Sequence, residues 1–158
     1  MRKLLGFILG ILLITNLSAL TLSAGIGLED LGNDVYLQIK GDAILPIVSF
    51  LDYRVGLLIF NLKDKDITLG TGIDNDMLVK ISVPFLFQLY IPCGFSFYFN
   101  DAKSLNLNGG VGLEKELGFL KGYLEGGLRY YYFKIGGTSQ SKTRFYLQGG
   151  IRIPLEIL

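Results

Sequence analysis

The sequence predicts an all-β protein: an eight-stranded antiparallel up-and-down transmembrane β-barrel that follows an N-terminal signal peptide. Three observations carry this prediction. The last third alternates apolar and polar residues in three runs, with Leu105, Leu107, Val111 and Leu113, then Leu124, Leu128, Tyr130 and Tyr132, then Phe145, Leu147, Ile151, Ile153 and Leu155 on one parity. A period of two over nine or more residues is a strand signal. Second, charge stays on the opposite parity, at Glu114, Glu125, Arg129, Arg152 and Glu156. Third, half of the residues are hydrophobic and only 18% are charged, oily for a soluble domain. Strands of about ten residues with one apolar face, joined by short turns, are the pattern of a membrane-spanning barrel.

The chain in order begins with Arg2-Lys3 and an apolar run to Ile14, followed by small residues at Ser18-Ala19 and Ser23-Ala24. That is the layout of a secretory signal peptide. Its removal is placed at residues 1–24, leaving a barrel of residues 25–158. Tyr36–Lys40 is expected as the first strand, Gly41-Asp42 as a tight turn, and Ala43–Ser49 as the second, weakened or bulged by Pro46, which has no N–H to donate. Arg54–Leu62 is the third, although Leu58 and Phe60 fall on its polar parity. Residues 63–76 lack alternation and read as a long loop with four Asp. Met77–Val83 and Gln88–Phe99 are the fourth and fifth, and the three closing runs complete eight. An even count lets the first and last strands meet antiparallel, and closure removes the open edges that hydrocarbon cannot satisfy.

Two registers can be argued. A two-residue loop at Gly118-Phe119 puts glycine at the first central position and makes partners of residues whose numbers sum to 237, so Glu116 faces Lys121 and Leu113 faces Leu124. For the last hairpin, a sum of 277 sets Glu125 against Arg152, whereas 281 would set Arg129 against Arg152. Charge pairing favours 277.

The turns near 51, 85 and 118 share an end with both termini and are flanked by Phe50, Tyr53, Phe85, Phe87 and Phe119. The other end carries polar segments and is approached by Phe97, Phe99 and Tyr130–Tyr132. Aromatic zones at both ends, with short turns on one side and longer loops on the other, are barrel features. In these features, over residues 33–157, the chain resembles the small eight-stranded outer-membrane barrels of diderm bacteria, of the outer membrane protein A and X type. The resemblance implies the bacterial outer membrane as location, a place in the cell envelope, and as partners outer-membrane lipid and the barrel-insertion machinery. Members of that family commonly end in an aromatic residue, whereas this chain ends Ile157-Leu158. A peptidoglycan-binding module after the barrel is not expected.

The residue inventory excludes much chemistry. There is no histidine and one cysteine, Cys93, so Ser-His or Cys-His pairs, an internal disulfide and Cys-rich metal sites are out. Cys93 lies on the apolar parity and reads as a buried or lipid-facing hydrophobe. The formal charge of +1 and the lack of a basic stretch give no footprint for nucleic acid. Similar-sized lipid A-modifying barrels depend, as a family, on histidine, which this chain lacks. Asp74-Asn75-Asp76 does not have the spacing of a calcium loop and reads as solvated loop acids. Gly109-Gly-Val-Gly112 lies within a strand and is no nucleotide fingerprint.

No catalytic residue, metal ligand or cofactor is therefore assigned. An eight-stranded barrel is wide enough inside only for side chains. The candidate site is a lumen network of Lys40, Arg54, Lys80, Glu114, Glu125, Arg129, Arg152 and Glu156, paired because a lone buried charge is costly. The expected function is that of a non-enzymatic integral outer-membrane barrel, structural or engaged in surface interaction, porin-like in build but with a filled polar lumen. The alternative is a soluble exported lipocalin-like barrel that turns the uncharged parity inward around a small apolar ligand.

Overall fold

The structure, a computed structural model, describes residues 19–30, 35–63, 66–81, 83, 87–99, 104–135 and 138–156. Side chains at 58–71, 104, 133–140 and 156 lie outside that description. Eight strands form one closed antiparallel barrel in sequence order: β1 (Ala19–Asp30), β2 (Val35–Val48), β3 (Leu51–Lys63), β4 (Asp66–Ile81), β5 (Gln88–Tyr98), β6 (Ser104–Leu117), β7 (Leu120–Ile135) and β8 (Thr138–Glu156), with β8 paired back to β1. The predicted fold class holds.

The strand pairs fix the geometry. Starting at Ser23 and stepping through Asp42, Gly56, Asp74, Ser96, Asn106 and Tyr131 returns to β8 at Lys142, whereas Ser23 itself pairs with Arg152, an offset of ten residues. With about 3.3 Å per residue and about 4.8 Å between strands, that offset over eight strands gives a tilt of about 41°. Each residue then rises about 2.5 Å along the axis, so about ten residues cross the ~25 Å apolar band of an outer-membrane-type barrel. Strands of 11 to 19 residues are long enough.

The opening of the barrel differs from the sequence expectation. Residues 36–40 and 43–48, expected within two strands, belong to the single strand β2, Ser49 lies in the turn after it, and Gly41-Asp42 is not a turn. Gly41 pairs with Ala24 and Leu57, and Asp42 with Ser23 and Gly56. The parity runs through unbroken: Gln38, Lys40, Asp42 and Ile44 are all buried. The first strand is instead Ala19–Asp30, and the expected cut after Ala24 falls within its span. Leu22, Ile26 and Leu28 of β1 face out, while Ser23 and Glu29 face in. Residues 1–18, which hold the hydrophobic part of the expected leader, lie outside the described residues.

The expected 63–76 loop is mostly strand as well. β3 runs to Lys63 and β4 starts at Asp66. The alternation of residues 63–76 was hidden because β4 carries an extra residue opposite position 59 of β3: Leu58 pairs with Gly72 but Phe60 with Leu69, while against β2 the extra residue is on β3, where Lys40 pairs with Leu58 but Ile39 with Phe60. An extra residue of this kind shifts the parity of everything beyond it. The register irregularity expected at Pro46 is present, between Pro46 and Val48.

The β6–β7 hairpin follows the 237 register throughout, and Gly118 takes φ 79 at the first loop position, a conformation only glycine enters at little cost. The β7–β8 register is 273 rather than 277. Glu125 faces Gln148, Lys121 faces Arg152 and Arg129 faces Arg144. Nearest-neighbour charge pairing gave the wrong answer because lumen side chains reach partners across the barrel, as the site geometry makes explicit.

Candidate functional site

The uncharged parity faces outward. Phe95, Leu128 and Ile151 are exposed, as are Leu107, Val111, Leu124 and Leu147, while Arg129 and Arg152 are 2% and 3% exposed. Phe50, Phe87 and Phe119 are exposed at the end shared with the N-terminal end of β1, and Phe97, Phe99, Tyr130 and Tyr132 toward the other. Tyr131, expected among the latter, turns inward and is buried. Cys93 is free and exposed on the outer face. This sidedness overturns the lipocalin-like alternative, which needs an apolar interior.

The interior is an ionic network built around two arginines. Arg54 of β3 donates from Nε and Nη2 to Asp76 Oδ2 at 3.1 and 2.7 Å, and from Nη1 and Nη2 to Glu125 Oε2 and Oε1 at 2.6 and 3.0 Å. It therefore ties β3 and β4 to β7 across the lumen. Glu125 also accepts from Gln148 Nε2 at 2.7 Å and Tyr146 Oη at 3.1 Å. Arg129 of β7 donates to Glu29 Oε2 and Tyr98 Oη, both at 2.7 Å, and to Asn108 Oδ1 at 3.1 Å, with Asp74 at 3.6 Å. Glu29 further accepts from Gln38 Nε2 at 2.6 Å and from Tyr131 Oη. Lys40 pairs with Asp74.

A second group sits at the end where β1 starts. Glu114 lies between Lys121, at 2.8 Å, and Arg152. This explains how the like-charged pair Lys121–Arg152 can sit face to face: one carboxylate serves both. Arg152 also donates to Tyr90 Oη at 3.0 Å and stacks on the Tyr90 and Tyr123 rings, 4.6 and 4.5 Å from their centroids. Lys80 and Asp52 pair at 2.7 Å. These groups line a cavity of about 310 Å³ at that mouth. Between mouth and centre, Ile44, Leu78 and Tyr90 pack together inside the lumen.

Seven of the eight expected network residues thus take part: Lys40, Arg54, Lys80, Glu114, Glu125, Arg129 and Arg152. The side chain of Glu156 lies outside the described residues. Missed were five of the seven carboxylates of the described lumen, Glu29, Asp42, Asp52, Asp74 and Asp76. Asp74 and Asp76, expected as solvated loop acids, are buried in the lumen, with Asn75 turned outward to accept from Tyr53 Oη at 2.7 Å. Asp42 was placed in a turn, and Glu29 falls before the first expected strand. The parity of Gly72, Asp74, Asp76, Leu78 and Lys80 was the available signal, since it is continuous with a strand already recognised. Among the described residues, no group of three acidic, Cys or His side chains could hold a metal.

A closed eight-stranded barrel with an apolar outside and an ionised inside has the architecture of a membrane-spanning barrel. No family model matches the chain, and no curated protein does. Among solved structures it is similar to Neisserial surface protein A, with TM-score 0.57 and 14% identity over 87% of this chain and 96% of that one. It is similar too to a transmembrane β-barrel designed de novo, with TM-score 0.56 and 15% identity over 87% and 96%. The designed barrel TMB2.3 gives TM-score 0.53 and 12% identity over 89% and 98%. Two of these three are designed sequences, so what is shared is the geometry of the fold.

Proposed function

We propose that this chain is an integral outer-membrane β-barrel without enzymatic activity. Its role is structural, or in surface interaction, and the lumen network serves to lock strand register rather than to conduct. The observation that carries this reading is the sidedness. Leucine, isoleucine and phenylalanine cover the outside, and Arg54, Arg129 and Arg152 are turned in. Reversing that arrangement in a bilayer would cost roughly 2–4 kcal/mol for each arginine near the midplane. In water, the same outer belt would be an apolar patch far larger than soluble monomers expose. The fold shared with Neisserial surface protein A supports the outer membrane as location, and a lumen filled by paired charges supports the absence of an open pore. The expected partners are outer-membrane lipid and the barrel-insertion machinery.

The test is fractionation combined with labelling. The expressed protein should partition with the outer membrane and migrate faster on a gel unheated than boiled. Spin labels at Leu147 and Gln148 separate the two faces: 147 should report hydrocarbon and 148 the lumen. Recovery from the soluble periplasm without detergent would overturn the reading, as would a hydrocarbon signal at 148.

A further inference from the structure

Every buried carboxylate in the described lumen is in a contact ion pair except one, whose charge Lys40 and Arg54 feel only from beyond ion-pair distance. Asp42 is 5% exposed, is in no ion pair among the described residues, and neither carboxylate oxygen has a hydrogen-bond partner. Its neighbours are neutral hydroxyls. Ser23, its register partner on β1, is buried. Tyr123 is buried with its hydroxyl toward that of Ser23, and its oxygen lies over Gly25, the next inward position along β1, 2.1 Å from where a Cβ would stand. Asp42 Oδ1 occupies the space left by Gly56, 2.2 Å from a Cβ built there, and Asp74 Cβ is 3.5 Å from the same point. Two acidic side chains thus flank one glycine.

Local charge points the same way. In the middle of the lumen Lys40, Arg54 and Arg129 face Glu29, Asp42, Asp74, Asp76 and Glu125. The offsetting cations are at the ends: Arg144 stacks on Tyr131, and Arg152 is committed to Glu114 and Tyr90. An unpaired buried carboxylate in such a place is costly unless something neutralises it.

We propose that Asp42 seats a monovalent cation of the sodium class inside the lumen, with the Ser23 and Tyr123 hydroxyls as neighbouring neutral oxygens. A hard ion suits oxygen donors, and one free carboxylate with no three-acid cluster suits single rather than double charge. The cavity at the mouth is lined by Thr21 and Ile44, the inward pair next to Ser23 and Asp42, so the proposed seat lies one inward position beyond it. The site depends on the lumen geometry and not on which membrane holds the barrel.

The experiment compares the whole barrel in detergent in sodium chloride and in choline chloride of equal concentration. The unfolding temperature is read from the gel shift, and sodium binding from ²³Na line broadening. Sodium should raise the unfolding temperature by about 3–5 °C at tenfold excess over Kd. Asp42→Asn should abolish both the rise and the broadening. Gly56→Ala, which fills the seat without changing charge, should do the same and carries the test should Asp42→Asn not fold. An equal sodium response in wild type and variants overturns the proposal, and so does its absence in wild type. A protonated-carboxyl infrared band that disappears in Asp42→Asn would also overturn it, by assigning a proton to the site.

Discussion

Replacing Arg54 with methionine removes the guanidinium that joins β3 and β4 to β7. Four charge-assisted hydrogen bonds go with it, of 3.1, 2.7, 2.6 and 3.0 Å. The two carboxylates left behind are not equally stranded. Glu125 keeps Gln148 at 2.7 Å and Tyr146 at 3.1 Å, whereas Asp76 keeps, among the described side chains, Asn108 alone at 3.3 Å. Both side chains are almost fully buried, at 2% and 0% exposure. Breaking one side of a buried pair costs roughly 3–5 kcal/mol, chiefly because the remaining charge is uncompensated. Arg54→Met should therefore destabilise the barrel by about 4 kcal/mol. Adding Asp76→Asn should recover more of the loss than adding Glu125→Gln. The triple variant, with shape kept and charge gone, should come back to within about 2 kcal/mol of wild type. The assay is urea unfolding in lipid vesicles, followed by gel shift and by tyrosine fluorescence, since the chain has no tryptophan. An Arg54→Met barrel within about 1 kcal/mol of wild type would refute the reasoning. So would a triple variant no more stable than the single one.

Two further outcomes follow from the strand pairing. Residues 19–24 pair with β8, and 21–24 also with β2, so a cut after Ala24 would leave backbone groups on two strands unpaired in hydrocarbon, at several kcal/mol each. The mature protein should begin at or before Ala19, and N-terminal sequencing that starts at Gly25 would contradict the role given to β1. Gly112 is required by a ring: a Cβ there would stand 2.0 Å from Tyr90 Cζ, and that ring is held by Arg152. Gly112→Ala should cost about 1–3 kcal/mol by overpacking. In a Tyr90→Ala background the same change should cost under about 0.5 kcal/mol, and equal costs in both backgrounds would show that the clash is not its cause.

How much of this could be read beforehand depended on whether a feature was local. The sidedness of β5 to β8 was legible because it is a property of alternate residues along one strand. The Gly118 hairpin was legible because a two-residue loop leaves one register. The first strand was obscured because Ser23 satisfies two codes at once: small residues mark a cleavage site, and Ser23, with Gly25, also fills the inward parity of β1 beside Tyr123. Gly41-Asp42 carries turn residues, but a turn would have needed the flanking segments to pair with each other. They pair with β1 and β3 instead.

By itself, then, the sequence determined that the chain alternates, that charge keeps to one parity, and that eight strands can close without an edge. Those are consequences of a side-chain period of two and of the backbone's need for partners. The tertiary structure alone decided which carboxylate meets which cation. Arg54 finds Glu125 71 positions away and Arg129 finds Glu29 100 positions away, because closure brings distant strands to within one side chain's reach across a narrow lumen. It also decided that Asp42, buried like the others, is left without a contact ion pair among the described residues.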